Sequence, residues 1–399
     1  MTRPLSGVRV LDLSQFLAGP YGTQILADLG AEVIKIEQPG IGDGCRGFPP
    51  HFRHGFSGYF LAVNRNKKSL TLDLKQVEGR QVFYDLVRCS DVVYDNFRPG
   101  VTKRLQIDYD TLKALNPRII SCSVSGYGQT GPYKDRPSFD NIIQAMGGLM
   151  SYNGEEGRPP VKMGAPIGDM MGGIVASQGI LAALYQRERT GQGQIIDIGL
   201  LDCQVSLLIY RAQYYWIAGE IAEPLGNVHR VIAPTASFQT KDGYVVIDAG
   251  QDKFFYQLCE AVGLPDLAHD PRFEHRPERL ANRDALMSIL QQRFTTKTTD
   301  EWLEILLAHD VPAGPVNTID RVLNDPHVKE RGMVKEVHDP RHPEYGGWMT
   351  TGNPIKLSGM SEEAFSHPPA LGEHTDEILT RLLGYSSARV AELRERKVI

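Results

Sequence analysis

The stretch GVRVLDLSQFLAGPYGTQILADLGAEVIKIEQP, residues 7–39, contains one complete unit of strand, loop, helix and strand. Its first part, GVRVLDLS (7–14), is an apolar run rich in β-forming residues and predicts a strand. The loop QFLAGPYG (15–22) follows, and TQILADLGA (23–31) predicts a short helix that stops at its glycine. EVIKIEQP (32–39) predicts the next strand, so the chain begins with a βαβ unit.

The same alternation continues as far as residue 150. Further strands are predicted at 69–75, 91–97 and 118–128, and further helices at 77–90, 109–116 and 139–150. Strands that alternate with helices indicate a doubly wound, largely parallel sheet of the Rossmann-like type. The fold class predicted for this part of the chain is therefore α/β.

The pattern changes near residue 225. ASFQTKDGYVVIDAG (236–250) predicts an antiparallel hairpin that turns at residues 241–243, and three amphipathic helices follow it. We therefore predict a large Rossmann-like domain at 1–200, a linker helix at 201–224 and a smaller α+β domain at 225–325. Residues 326–399, which end in two predicted helices, are expected to return to the large domain.

Composition argues against several kinds of partner. The 399 residues are 41% hydrophobic and 23% charged, and the net charge of -5 indicates neither a nucleic-acid binder nor a binder of polyanionic surfaces. The most apolar windows are interrupted by Gln178, Asp202 or Arg211, and no membrane span is predicted. The five cysteines form no CxxC pair, which favours reduced thiols and a cytoplasmic protein.

The common nucleotide and metal motifs do not occur in the sequence. The first loop has Gly19 and Gly22 but no GxGxxG, although Glu37 ends the second strand where an acid for the adenosine ribose would lie. Half of a fingerprint arises easily by chance, so a nicotinamide cofactor is disfavoured. The sequence has no GxxxxGKS or GxxxxGKT, and its histidines lack ligand spacing, so neither a P-loop nor a metal site is expected.

Basic residues gather where the predicted strands begin and end. They are Lys67, Lys68, Lys75, Arg98, Lys103 and Arg104. Doubly wound sheets bind ligands at the carboxyl ends of their strands, and cations there suit a ligand that carries several phosphates. A set of solvated, charged loops explains the same residues, and the sequence leaves both interpretations open.

The segment GAPIGDMMGG (164–173) places one carboxylate, Asp169, at the start of a long helix with no base beside it. One interpretation is an N-cap, which accepts hydrogen bonds from the first free N–H groups of the helix. The other is a nucleophile, because a helix N-terminus lowers the pKa of a carboxylate, and an ionised carboxylate attacks an acyl carbon without a general base. Four glycines, Gly164, Gly168, Gly172 and Gly173, would admit an acyl group and offer N–H groups to an oxyanion. These residues alone favour the cap.

Six blocks of the sequence carry a family resemblance through their order and spacing. They are LDLSQFLAGPYGTQILADLGAEVIKIE, NRNKKSLTLDLK, DVVYDNFRPG, SGYGQTGPY, GAPIGDMMGG and RTGQGQIIDIGLLD. Together they resemble the class III CoA-transferases, the family of the formyl-CoA:oxalate and carnitine CoA-transferases. The resemblance covers residues 5 to about 205 closely and the rest of the chain by general pattern.

The resemblance implies an interlocked homodimer, each subunit having a large and a small domain, and it casts Asp169 as the residue that accepts the acyl group. The acyl-CoA would give a mixed anhydride on Asp169 and then an aspartyl-CoA thioester. The residues implied for coenzyme A are Gln15, Phe16, Leu17, Ala18, Gln38, Leu72, Asp73, Leu74, Lys75, Asn96, Phe97, Arg98 and Arg104. Many members have an arginine that meets the nucleotide where this chain has Gln38. The oxyanion partners are expected among the amides of residues 15–18 and Gly168.

Two alternatives to a transferase remain. The same fold includes α-methylacyl-CoA racemases, which move a proton with a His/Asp pair, but Phe139 stands at the position of that histidine and cannot carry a proton. The other alternative is a non-catalytic CoA-binding protein in which Asp169 is only a cap. We expect a transferase whose partners are an acyl-CoA and a small carboxylic acid, with a dicarboxylate such as succinate favoured. No permanently bound cofactor, nucleic acid or membrane is expected.

Overall fold

The computed structural model describes residues 3–360 and 365–399. The chain divides into two compact units. The first comprises Met1–Leu149, Lys162–Gly219 and Lys329–Ile399, and the second comprises Met150–Val161 and Glu220–Val328. The second unit therefore includes residues 150–161, which the sequence prediction assigns to the large domain.

A six-stranded parallel sheet forms the centre of the first unit. The first eight strands of the chain are β1 (Arg9–Asp12), β2 (Glu32–Glu37), β3 (Phe52–Arg53), β4 (Phe56–Ser57), β5 (Lys67–Thr71), β6 (Val92–Asp95), β7 (Ile120–Ser125) and β8 (Ile195–Gly199). Strands β3 and β4 form a short hairpin of their own, and the other six pair in parallel in the order β5-β2-β1-β6-β7-β8. This sheet confirms the predicted α/β class.

Helices lie between these strands and after the last of them. They are α1 (Ala18–Asp28), α2 (Gly58–Val63), α3 (Val77–Arg88), α4 (Val101–Arg104), α5 (Tyr109–Leu115), α6 (Asp140–Met146), α7 (Ile167–Thr190), α8 (Leu200–Ser206) and α9 (Tyr210–Ala218). Alternate strand residues pack into different cores, because successive side chains point to opposite faces of a sheet. Leu11 and Ile34 join the core that contains Phe83 of α3, whereas Val10 and Val33 join the core that contains Ile180 of α7. The sheet is thus covered on both faces.

Helix α1 begins earlier than the sequence indicates. Residues 15–22 are predicted to form a loop, but the helix already starts at Ala18. Pro20 lies in the first turn, where its missing N–H removes no helical hydrogen bond. Two glycines let α1 approach α7 closely. A Cβ on Gly22 would lie 2.8 Å from the carbonyl oxygen of Gly173, and a Cβ on Gly173 would lie 2.6 Å from that of Ala18.

By length and composition alone, helix α7 is long and apolar enough to cross a membrane. The sequence prediction contains no membrane span. Within the first unit, Ala176, Ile180 and Ala183 of this helix are buried in the core beside the sheet. Arg187 in its last turn is buried as well and pairs with Asp91 at 2.9 Å. These contacts are those of a core helix in an α/β domain.

A three-stranded antiparallel sheet lies in the second unit. Strands β9 (Thr235–Gln239) and β10 (Tyr244–Asp248) form the predicted hairpin, and β11 (Ala313–Pro315), which the sequence did not indicate, pairs with β10. The helices of this part of the sequence are α10 (Asp252–Ala261), α11 (Arg276–Ala281), α12 (Arg283–Phe294), α13 (Thr299–Ala308), α14 (Ile319–Asn324) and α15 (Pro326–Glu330).

The last segment completes the first unit. Strands β12 (Val334–Val337) and β13 (Trp348–Thr351) form a hairpin, and two helical segments, α16 (Thr375–Glu377) and α17 (Ser387–Glu395), follow. Helix α16 continues as a π-helical turn through Leu382, so the first of the two predicted helices is largely not α-helical. Leu379 and Leu393 pack into the same core as Leu11 and Ile34.

Candidate active site

The parallel sheet changes its direction of growth between β1 and β6. Strands β2 and β5 extend the sheet on one side, and β7 and β8 extend it on the other. Doubly wound sheets bind ligands at such a point, beyond the carboxyl ends of the strands. The loops after β1 and β6 meet there, because the Asn96 side chain accepts a hydrogen bond from the Gln15 amide (2.9 Å) and donates one to the Gln15 carbonyl oxygen (2.8 Å).

A buried pair of charges holds the loop after β1. Lys35 pairs with Asp43 at 2.8 Å and donates a hydrogen bond to the carbonyl oxygen of Ser14 at 2.7 Å. Asp43 accepts a hydrogen bond from the amide of Phe16 at 3.0 Å, and Phe16 has a φ of 65°, which is uncommon for a residue other than glycine. Although burial acts to raise it, the Lys35 ammonium holds the pKa of Asp43 below its ordinary value. The pair thus fixes a loop that the backbone alone would disfavour.

A cavity of about 490 Å³, here called the Asp169 cavity, opens where the two loops meet. It is lined by Gln15, Phe16, Leu17, Ala18, Phe48, Tyr59, Asn96, Phe97, Arg98, Pro99, Val124, Ser125, Gly126, Lys134, Arg136, Ser138, Phe139, Asp169 and Leu200. Asp169 therefore lies in the same cavity as the loops after β1 and β6, 70 or more residues away from it in sequence.

Asp169 is not the cap of helix α7, so the interpretation that the sequence favoured is wrong. It is the third residue of the helix, and the capping carboxylate comes from α6 instead. Asp140 Oδ1 accepts hydrogen bonds from the amides of Gly168 (2.8 Å) and Asp169 (3.3 Å), while its Oδ2 accepts one from Gln144 (2.7 Å). Within residues 3–360 and 365–399, the Asp169 side chain accepts no hydrogen bond. Its carboxylate is left available to a ligand.

The pKa of Asp169 moves in the opposite direction from the sequence prediction. Burial, together with the negative charge of Asp140, raises the pKa of Asp169 to about 6. The helix N-terminus does not lower it, because Asp140 already accepts the hydrogen bonds of the first turn and adds a like charge. At pH 7 such a group is still about 90% ionised. It is also a more basic carboxylate than an ordinary aspartate.

The glycines around Asp169 serve packing more than access. A Cβ on Gly172 would lie 2.2 Å from a methyl carbon of Leu200, and one on Gly168 would lie 3.0 Å from Asp140. Gly164 alone of the four has open space beside it. The amide of Gly168 is bonded to Asp140, so it is not free to serve an oxyanion.

Two of the backbone amides expected to face an oxyanion are still available to donate a hydrogen bond to it. Gln15 and Phe16 already donate, to Asn96 and Asp43 respectively. Leu17 and Ala18 stand at the N-terminus of α1, where no side chain caps the helix, and their amides donate to no acceptor in the described part of the chain. A helix N-terminus favours negative charge, so these two amides suit a developing oxyanion.

A second cavity, of about 530 Å³ and here called the Lys75 cavity, adjoins the first through Gln15 and Phe97, which line both. It is lined by Leu13, Gln15, Ile36, Glu37, Gln38, Leu72, Asp73, Leu74, Lys75, Arg80, Phe97, Val101, Arg104 and Leu105. Lys75 and Arg104 are exposed and form no ion pair with the described residues. Arg80 is turned toward the carbonyl oxygens of Leu74 and Lys75, at 3.2 and 2.9 Å.

The two cavities together bring every residue implied for coenzyme A to one groove. Phe16, Leu17, Ala18, Asn96 and Arg98 line the Asp169 cavity, Gln15 and Phe97 line both, and the remaining six line the Lys75 cavity. Their role as ligands of coenzyme A stays a prediction. Strand β5 ends at Thr71, so Leu72–Lys75 form the turn after the strand and not its last residues.

Four residues of the Asp169 region are not predicted as site residues by the sequence. Lys134 and Arg136 are exposed on the loop before α6, and neither forms an ion pair with the described residues. Tyr59 comes from α2, and burial together with the charge of Asp169 raises its pKa to about 12. Asp140, the fourth, appeared in the sequence only as a neighbour of Phe139. A tertiary contact defines each of them, and no motif marks such a contact.

An α/β fold whose groove carries cations and ends at an unpaired carboxylate fits a group-transfer enzyme that acts on a phosphorylated carrier. The family model of CoA-transferase family III matches residues 5–375 of this chain. The chain belongs to this family and is a CoA-transferase.

Relatives of known activity match almost the whole chain. It is 39% identical over 391 residues to succinyl-CoA:glutarate CoA-transferase of Mus musculus, with 98% of this chain and 89% of the relative covered. It is 40% identical over 409 residues to succinyl-CoA–D-citramalate CoA-transferase of Chloroflexus aurantiacus, with 100% and 98% covered. The solved structure of a CAIB/BAIF family protein from Brucella suis has a TM-score of 0.88 and 40% identity, with 96% of this chain and all 100% of that one covered.

Proposed function

We propose that this CoA-transferase works through a covalent intermediate on Asp169. An oxygen of the Asp169 carboxylate attacks the carbonyl carbon of the donor thioester. The C–S bond breaks, coenzyme A leaves as a thiolate, and the acyl group stays on Asp169 as a mixed anhydride. The thiolate attacks the aspartyl carbonyl, which frees the donor acid and leaves an aspartyl-CoA thioester. The acceptor carboxylate attacks that thioester, and the released thiolate then attacks the acceptor's acyl carbon. The products are the new acyl-CoA and free Asp169.

One observation supports this role most directly. Asp169 lies in the cavity without a hydrogen bond to its carboxylate from the described residues, because Asp140 caps the helix in its place. Its pKa of about 6 leaves it ionised at neutral pH while making it a stronger nucleophile than an ordinary aspartate. The amides of Leu17 and Ala18 are our candidates for stabilising the oxyanion of each addition step.

The covalent step is tested by trapping. The enzyme is incubated with succinyl-CoA alone, treated with hydroxylamine or borohydride, and mapped by mass spectrometry. Modification at Asp169 is expected, and the Asp169→Asn variant should show neither modification nor transfer. Asp135→Asn, which changes an exposed carboxylate of the same region, is the matched control and should behave as wild type. Modification of another residue, or none, would count against the mechanism.

We propose that coenzyme A lies along the joined cavities, with its thioester at Asp169 and its phosphates near Lys75 and Arg104. Cations at the carboxyl ends of parallel strands support this placement. Lys75→Met and Arg104→Met should each raise the KM for acyl-CoA, and the effect should shrink at high salt because exposed charges are screened. An unchanged KM in both variants would contradict the placement.

We propose that the acceptor is a small dicarboxylic acid such as succinate or glutarate. The named relatives transfer CoA between acids that carry more than one carboxylate. In this chain, Lys134 and Arg136 line the Asp169 cavity without an acidic partner among the described residues, and they can pair with the second carboxylate. Arg136→Met should raise the KM for glutarate by about tenfold and leave that for butyrate unchanged. Equal effects on both acids would argue against this pairing.

The racemase alternative has weaker support. Phe139 lines the Asp169 cavity and is 75% exposed, and no histidine is among the residues that line this cavity. A racemase predicts deuterium exchange at the α-carbon of 2-methylacyl-CoA in heavy water without any acceptor acid. A non-catalytic binding protein predicts CoA affinity without turnover of any acid in a screen.

We further propose that the chain forms a homodimer. Helix α9 has no buried residue, and its apolar side chains include Trp216 and Ile217, which are 70% and 80% exposed. Apolar surface of this kind is seldom left uncovered. Light scattering should give the mass of a dimer, and Trp216→Glu should reduce it toward that of one chain.

We place the enzyme in the cytoplasm, where the five free cysteines would stay reduced, and propose that it uses CoA thioesters without a permanent cofactor.

A further inference from the structure

A third cavity, here called the Lys397 cavity, continues the groove at its far end. It has a volume of about 300 Å³ and is lined by Gln38, Pro39, Gly40, Asp73, Lys397 and Ile399. Gln38 and Asp73 also line the Lys75 cavity, so the two adjoin at these residues. Lys397 and Gln38 line the same cavity, and of the two only Lys397 carries a positive charge. The sequence gives no sign of this, because the two residues are hundreds of positions apart.

The order of the cavities decides which part of coenzyme A reaches Lys397. The Asp169 cavity joins the Lys75 cavity at Gln15 and Phe97, and the Lys75 cavity joins the Lys397 cavity at Gln38 and Asp73. A thioester placed at Asp169 sends the rest of the molecule through the Lys75 cavity. The part of coenzyme A farthest from the sulfur is the adenosine with its 3′-phosphate, so this phosphate arrives last along the groove.

The backbone holds Lys397 in a defined position. Its carbonyl oxygen accepts a hydrogen bond from the Gln76 side chain (3.1 Å), and the next carbonyl oxygen, of Val398, accepts one from the Asp73 amide (2.8 Å). Val398 is fully buried in the core, and Lys397 itself has a φ of 56°. A residue held at such a φ is fixed by its surroundings. Its ammonium group forms no ion pair or hydrogen bond with the described residues and is exposed.

We propose that Lys397 binds the 3′-phosphate of coenzyme A and supplies the positive charge that Gln38 does not. This rests on the proposed placement of coenzyme A along the groove. An ammonium group donates charge-assisted hydrogen bonds to a phosphate, and an anchored backbone reduces the ordering that binding requires. Gln38 can still hydrogen-bond the same nucleotide end through its neutral amide.

The test measures binding of CoA and of 3′-dephospho-CoA by calorimetry, so it does not depend on turnover. Lys397→Met should weaken binding of CoA by about tenfold and leave that of 3′-dephospho-CoA unchanged. Lys397→Arg should retain wild-type affinity. Gln38→Arg in the Lys397→Met background should recover most of the loss, because the new guanidinium lies on the same cavity. Lys113→Met, which removes an exposed lysine of α5, is the matched control and should have no effect.

Kinetics give a second readout. With succinyl-CoA as donor, Lys397→Met should raise the KM by about tenfold and leave kcat unchanged, because the 3′-phosphate is remote from the reacting bond. Equal affinity of wild type and Lys397→Met for CoA would overturn the proposal, as would an equal loss for both ligands. Wild-type protein that binds CoA through Lys397 but transfers it to no dicarboxylate would count against the proposed acceptor and not against this site.

Discussion

The environment that raises the pKa of Asp169 should also destabilise the fold. A carboxylate that is half-buried beside Asp140, with no hydrogen bond from the described residues, is less stable when ionised than the same group in the unfolded chain. Asp169→Asn keeps the shape of the side chain and removes the charge. We therefore expect this variant to lose activity and to gain stability at neutral pH.

The pKa gives the magnitude and the sign. The difference between the ordinary value of 3.8 and about 6 corresponds to about 3 kcal/mol. Water screens part of this because the group is only half-buried, and we expect about 1–2 kcal/mol. The folded state binds the proton more tightly, so the free energy of unfolding falls as pH rises from about 4 to about 6. The advantage of the variant should be absent below that window and complete above it.

Urea unfolding at pH 7.5 and at pH 4 measures this difference. At pH 7.5 the Asp169→Asn midpoint should exceed that of wild type, and at pH 4 the two should nearly coincide. Asp135→Asn, an exposed carboxylate in the same region, should match wild type at both pH values. An Asp169→Asn variant that is no more stable than wild type at pH 7.5, or that gains equally at both, would refute the reasoning.

Three further predictions rest on neighbouring contacts. The value of kcat/KM should fall as pH drops through about 6, because Asp169 takes up a proton there. Asp140→Asn should move this fall to lower pH because it removes a like charge beside Asp169, and an unchanged pH profile would contradict this. Gly173→Ala should destabilise the fold by about 1–3 kcal/mol in urea unfolding, because its Cβ would meet the α1 backbone, whereas Gly164→Ala, in open space, should not. Lys35→Met should destabilise it by about 3–5 kcal/mol, since a buried carboxylate loses its partner, and unaltered stability would count against that pair.

Much of the first unit could be predicted because the inner strands of its parallel sheet, β2, β1, β6 and β7, are buried on both faces. The central residues of these strands are apolar, as in Val10–Leu11 of β1 and Val92–Tyr94 of β6, which is typical of strands in parallel sheets. Boundaries were less predictable where tertiary contacts decide them. Helix α1 begins at Ala18, before the predicted start, and its Gly22 lies against Gly173 of α7, a contact that no local pattern indicates. Strand β11 has three residues, too few for a pattern.

The site was predictable only as far as its motifs reach. The family blocks indicated Asp169 and the loops after β1 and β6, and the sheet topology explains why these loops meet. The cap of α7 was assigned wrongly, because an Asp in the first turn is usually a cap and the true cap, Asp140, lies 28 residues from the amide of Gly168 that it accepts from. Lys134 and Lys397 carry no motif. Only the folded chain brings them to the groove.

Asp140 and Asp169 have different roles at the start of α7, and this difference explains why an unpaired carboxylate is suited to that position. Had Asp169 capped the helix itself, the first-turn amides would have stabilised its charge and lowered its pKa, and a less basic carboxylate attacks a thioester less readily. Asp140 accepts those hydrogen bonds instead, so the helix end is satisfied while Asp169 stays unbonded within the described chain. The like charge of Asp140 then raises the basicity of its neighbour further. The same arrangement predicts both a less stable fold and a more reactive nucleophile, which links the stability measurement above to catalysis.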